Sequence, residues 1–181
     1  MKPRTLLATS CVGIALGLAI PPAFAQGQGA PAASAQTRTI EPQEFLRLAY
    51  SSASLQGQIA QLAASRDTRP EVKSFATAAT EFRTGLLKRI ETFAGEQKLS
   101  LPNVKEFEHQ VIVENLEPLD YLALSRRYAE VQMQALDQEV TIYQAASRSP
   151  DQGVKSFADQ VLPELQQQQA GARKMFDAVK P

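Results

Sequence analysis

The sequence predicts an all-α fold, a four-helix bundle made of two related helical hairpins, and three observations predict it. Apolar residues recur in steps of three and four through four long segments. A stretch at the first hairpin turn is repeated 82 residues later. A connector of about 20 residues separates the two halves, and at up to ~65 Å extended it can cross a bundle.

The chain has 181 residues, 44% apolar and 21% charged, with 19 basic residues against 19 acidic ones. That balance excludes a disordered polyelectrolyte, a polytopic membrane protein and a nucleic-acid binder relying on bulk positive charge. Residues 1–25 read as a secretory signal peptide. Lys2 and Arg4 form its positive end, Leu6 to Ile20 its apolar run, and Ala23-Phe24-Ala25 the small residues that a signal peptidase accepts. Cleavage is expected between Ala25 and Gln26, giving an exported, periplasmic protein. About 15 apolar residues rise only ~22 Å as a helix, short of a ~30 Å bilayer core, so no transmembrane span is expected after signal removal. Cys11, the sole cysteine, leaves with the signal, and disulfides, zinc-thiolate sites and cysteine nucleophiles leave with it. Residues 26–40, rich in Gly, Pro, Ala and Ser, read as a flexible leader, and 41–181 as the bundle domain.

The first helix starts at Pro42, with Phe45, Leu48, Leu55, Ile59 and Leu62 on one face. Ser65 to Arg69 closes it. Thr68 is the expected N-cap of the second helix and Pro70 lies in its first turn, where a missing N–H does no harm. Val72, Phe75, Ala79, Phe82 and Leu86 then lead to Ile90 and Phe93. The connector, Gln97 to Leu116, holds a short amphipathic piece around Val104 to Val113. A third main helix follows Pro118 with Tyr121, Leu124, Tyr128, Val131, Ala135, Val140 and Tyr143 inward. The fourth runs from about Asp151 through Val154, Phe157, Val161, Leu165, Ala172, Met175 and Val179, with a kink expected at Pro163. A connector of this length permits the third helix to run parallel to the second, as in ferritin-like bundles.

Ala63-Ala64-Ser65-Arg66 recurs as Ala145-Ala146-Ser147-Arg148, and Val72-Lys73-Ser74-Phe75-Ala76 as Val154-Lys155-Ser156-Phe157-Ala158. Nine of 14 positions match in this window, against roughly 6% per position for ordinary compositions. Two hairpins around a pseudo-twofold axis follow, because one hairpin alone would leave its apolar stripe wet.

Val72-Lys73-Ser74-Phe75-Ala76 leading to Thr84, and Phe157-Ala158 leading to Leu162-Pro163-Glu164-Leu165, resemble the bacterial secreted family called domain of unknown function 4142. The resemblance spans Phe45 to Phe176 and implies an exported ferritin-like four-helix bundle without an established activity. It also implies departures. The family's Asp-His pair on helix two falls on Phe82-Arg83, its helix-three histidine near Leu136, its helix-four histidine on Gln168 and its helix-one glutamate on Gln56.

This chain is therefore read as a variant without the family's histidines, and no metal or other cofactor is expected. A di-iron bundle needs two inward Glu-x-x-His pairs, and only Glu106-Phe107-Glu108-His109 has that form. Its place in the connector reads as a solvated face. Glu81, Glu130, Asp137 and Glu139 flank the stripes and read as solvated too. Arg126-Arg127 and Lys88-Arg89 read as surface charges. Gln56, Arg83 and Gln168 are the candidate polar core, the alternative being that all three snorkel to the surface. With no histidine near a serine, nucleophilic catalysis has little support. Tyr50, Tyr121, Tyr128 and Tyr143 read as core aromatics with wet hydroxyls. The leading expectation is a non-enzymatic interaction role, envelope stress included, with a protein or small-ligand partner. A ferritin-like metal-binding oxidoreductase or storage protein and a small-ligand carrier are the alternatives.

Overall fold

Each apolar stripe becomes one helix, and the connector contributes a short fifth. The computed structural model describes residues 39–66, 68–103 and 107–180. The expected signal segment, the expected Ala25–Gln26 cleavage site and Glu106 lie outside them. Among the described residues the elements are α1 (Pro42–Ser65), α2 (Pro70–Gln97), α3 (Phe107–Leu116), α4 (Tyr121–Ala146) and α5 (Gln152–Val179), with no strand.

Local chemistry sets the ends. Prolines open α1 and α2, and the Asp151 carboxylate accepts the Val154 N–H at 2.8 Å to cap α5. Thr68 does not cap α2 as expected. Its hydroxyl is buried and donates to the Ala63 carbonyl at 3.1 Å, satisfying the end of α1 instead. The Arg69 N–H that starts α2 donates to the Ser125 hydroxyl at 2.9 Å, so the first hairpin turn is pinned by α4. Helix α2 runs past Gly95 to Gln97 and stops at Lys98 in the left-handed conformation, φ 54°. There the Leu99 N–H reaches back to the Ala94 carbonyl at 2.9 Å. Helix α5 continues through exposed Pro163 to Val179.

Contact pairs fix the directions. Along α1 and α4 they run oppositely: Phe45 meets Tyr143 with ring centroids 5.2 Å apart, and the Arg66 guanidinium donates to the carbonyls of Glu117 and Leu119 just ahead of α4. Helices α2 and α5 are also antiparallel, since Arg89 pairs with Glu164 while a Cβ at Gly171 would touch the Phe75 ring. Thus α2 and α4 point the same way. The connector must therefore travel the length of α1. It leaves beside Gln43, which exchanges two hydrogen bonds with the Ser100 backbone, and arrives beside Arg66. Helix α3 lies on this path against α1 and α4.

The pseudo-twofold relation exchanges α1 with α4 and α2 with α5. Phe75 packs on Tyr128 of α4, and its counterpart Phe157 packs on Phe45 of α1. The repeated segments consequently sit at opposite ends of the bundle. Phe75 lies against Gly171, 14 residues beyond Phe157, which is about 21 Å along α5.

The core runs the whole bundle. At one end Phe45, Phe93, Tyr143 and Phe157 form a ring cluster, with Phe93 and Phe157 stacked at 4.8 Å. Ile40, placed by the sequence in the flexible leader, is buried in this core. Two inward assignments on α4 fail. Tyr121 is half exposed at the helix start, and Ala135 is only partly covered while its neighbour Leu136 is fully buried. One residue is 100° of helix phase, and at that resolution a stripe edge is easily misread.

Candidate functional site

A polar layer crosses the middle of the bundle. Gln56 of α1, Arg83 of α2, and Gln132 and Glu139 of α4 are all essentially inaccessible to water. Arg83 Nη1 lies 2.8 Å from both oxygens of the Glu139 carboxylate. Its Nη2 donates to Gln56 Oε1 at 2.6 Å. Gln56 Nε2 donates to Glu139 Oε2 and to the Ser52 hydroxyl, each at 2.9 Å. Gln132 Nε2 donates to Gln56 Oε1 at 3.0 Å. The Gln56 amide thus uses both N–H donors and both carbonyl lone pairs, its full capacity. The layer joins three helices, and desolvation of its charges is offset by a hydrogen-bonded ion pair.

The sequence grouped Gln56, Arg83 and Gln168. The structure brings the first two together and leaves Gln168 half-buried outside these hydrogen bonds, beside Gln169, which donates to Asp137 on the outer α4–α5 seam at 2.6 Å. Glu139, expected on a solvated face, completes the layer instead. Its position was available: it follows inward Leu136 by three and precedes inward Tyr143 by four, as Gln132 stands four from both Tyr128 and Leu136. Polarity masked both. Glu81, Glu130 and Asp137 are exposed, with Glu130 paired to Arg127 and Asp137 near Arg173. Arg89 forks onto both Glu164 oxygens at 2.9 Å, and Arg126 donates to the Val179 carbonyl.

Tyr143 and Tyr128 bound the layer, one turn beyond Glu139 and one turn before Gln132. Their hydroxyls are buried and find no hydrogen-bond partner among the described residues, as do Arg83 Nε and Gln132 Oε1. The expectation of wet hydroxyls therefore fails for these two. Burial holds both phenols above the usual tyrosine range; the Glu139 carboxylate adds to the rise at Tyr143, and the Arg83 guanidinium opposes it at Tyr128.

A di-metal centre does not fit these residues. The layer offers one carboxylate and no imidazole, and a permanent guanidinium cation lies 2.8 Å from both oxygens of that carboxylate. Among the described residues, no three His, Cys, Asp or Glu side chains gather in metal-binding range. No helix of the described chain is long and apolar enough to cross a membrane.

A second feature escaped the sequence. Helix α3 and the connector enclose, with α1, a half-open groove of about 520 Å³. His109, expected on a solvated face far from any serine, is half-buried in its wall, with Nδ1 3.5 Å from Ser51 Oγ. Ser51 is mid-helix, where backbone N–H groups are spent on the helical ladder and none is aimed at a developing oxyanion. The pair is a polar contact rather than an acyl-transfer site.

No curated protein and no solved structure matches the chain. A family model does: Domain of unknown function (DUF4142) matches residues 26–175. With that match across most of its length, the chain belongs to the DUF4142 family.

Proposed function

We propose that the protein is an exported, periplasmic bundle that acts by contact with another molecule rather than by catalysis. One observation carries the reading: the bundle's central carboxylate, Glu139, is closed off by Arg83 and Gln56. The place where a helical bundle of this topology would build metal chemistry is thus given to a structural ion pair. Elemental analysis of the untagged protein purified from the periplasm, combined with mass spectrometry of what accompanies it, tests this. Less than a tenth of an equivalent of any transition metal is expected; a tightly held stoichiometric iron or manganese would replace the proposal with the metal-binding alternative.

A further inference from the structure

The α1–α3 groove has the size and lining of a small-molecule site. Its volume, about 520 Å³, lies within the range of ordinary ligand pockets. Ser51, Ser54 and Gln58 follow one another at helical spacing along α1 and present hydroxyl and amide groups to the groove. Gln58 Nε2 donates to Ser54 Oγ at 3.3 Å, and Ser51 makes a long contact with His109. Asn103 and Gln110 bring two more amides from the facing wall. Apolar surface alternates with these groups: Leu55 and Val113, and the half-buried ring of Tyr50.

Among the described residues no lysine or arginine lines the groove. Its described carboxylates, Glu114 and Glu117, are exposed, so water and salt screen them. The α1 wall, formed by Tyr50, Ser51, Ser54, Leu55 and Gln58, is therefore neutral, rich in donor and acceptor groups, and interrupted by an aromatic side chain, with the His109 imidazole facing it. A charged ligand would gain little there. A ring with hydroxyl or acetamido groups at its edge and C–H groups on its face matches that pattern of polar and apolar surface.

We infer that the α1–α3 groove binds a short neutral saccharide, of one or two pyranose rings, with Tyr50 against the ring face and Ser51, Gln58 and Gln110 on its hydroxyl or acetamido groups. The inference deepens the contact role and rests on it. The test is a titration of the isotope-labelled mature protein with maltose, cellobiose and N,N′-diacetylchitobiose, followed by NMR. At least one is expected to shift the Ser51, Gln58 and Gln110 resonances with a Kd of roughly 10 mM or tighter, insensitive to salt. Tyr50→Ala and Gln58→Ala should each weaken it about tenfold while the circular dichroism spectrum is unchanged. Unaltered resonances with all three sugars, or binding that neither variant weakens, would overturn the inference. A protein that purifies without metal would then keep the proposed contact role and lose this groove as the place of contact.

Discussion

Replacing Arg83 by methionine isolates the central claim about the core. The substitution keeps the apolar stem and removes the guanidinium, so Glu139 loses the group 2.8 Å from both its oxygens. A fully buried carboxylate is left with only the Gln56 amide as donor. Stranding a buried charge in this way costs about 3–5 kcal/mol. Removing both charges, as Arg83→Met with Glu139→Leu, replaces the pair by apolar surface, and such replacements run from neutral to stabilising. Against that, one Gln56 N–H loses its acceptor, at about 1–3 kcal/mol. The double variant should therefore fall within about 2 kcal/mol of the parent, far from the sum of the two single substitutions. Equilibrium unfolding in urea, followed by far-UV circular dichroism, reads these numbers. At slopes of 1–3 kcal/mol per molar, the single variant should lose roughly 1 M or more of midpoint. An Arg83→Met protein within about 1 kcal/mol of the parent would refute a tightly coupled buried layer, and so would a double variant as unstable as its two singles combined.

Two further changes test the structure. Tyr128→Phe and Tyr143→Phe each delete a buried, unpartnered hydroxyl and should stabilise the bundle by about 1 kcal/mol, in line with the cost of an unsatisfied group. Because both phenols titrate above their unfolded value, the stability they contribute is complete below about pH 10 and is lost as pH rises above it. The double phenylalanine variant should resist alkaline unfolding to a higher pH, and an unchanged alkaline midpoint in its circular dichroism would count against the burial of these hydroxyls. Lys98→Gly relieves a left-handed backbone at the end of α2 and should raise stability by about 1 kcal/mol; thermal melts showing a loss would place the helix stop elsewhere.

The helices, the duplicated hairpin and the crossing connector were legible because each depends on chain-local or chain-linear facts. Phe75 and Phe157 announce the duplication in their flanking residues, and connector length sets what it can span. The first half of the layer was legible too, since Gln56 and Arg83 stand in apolar phase. Glu139 was not, because a carboxylate beside a stripe is normally solvated and its partners are 56 and 83 residues away. His109 was placed by its segment's polarity, and the groove that receives it exists only where α3 folds against α1.

The sequence by itself determined an all-helical chain, its division into two like hairpins, and membership of the DUF4142 family. Tertiary packing decided which polar side chains share a layer, which end of the bundle each repeat occupies, and where a cavity opens. The reason is geometric. Helical periodicity locates a face only to within about one residue, or 100°, while partners such as Arg83 and Glu139 meet through the alignment of separate helices, which no local pattern records.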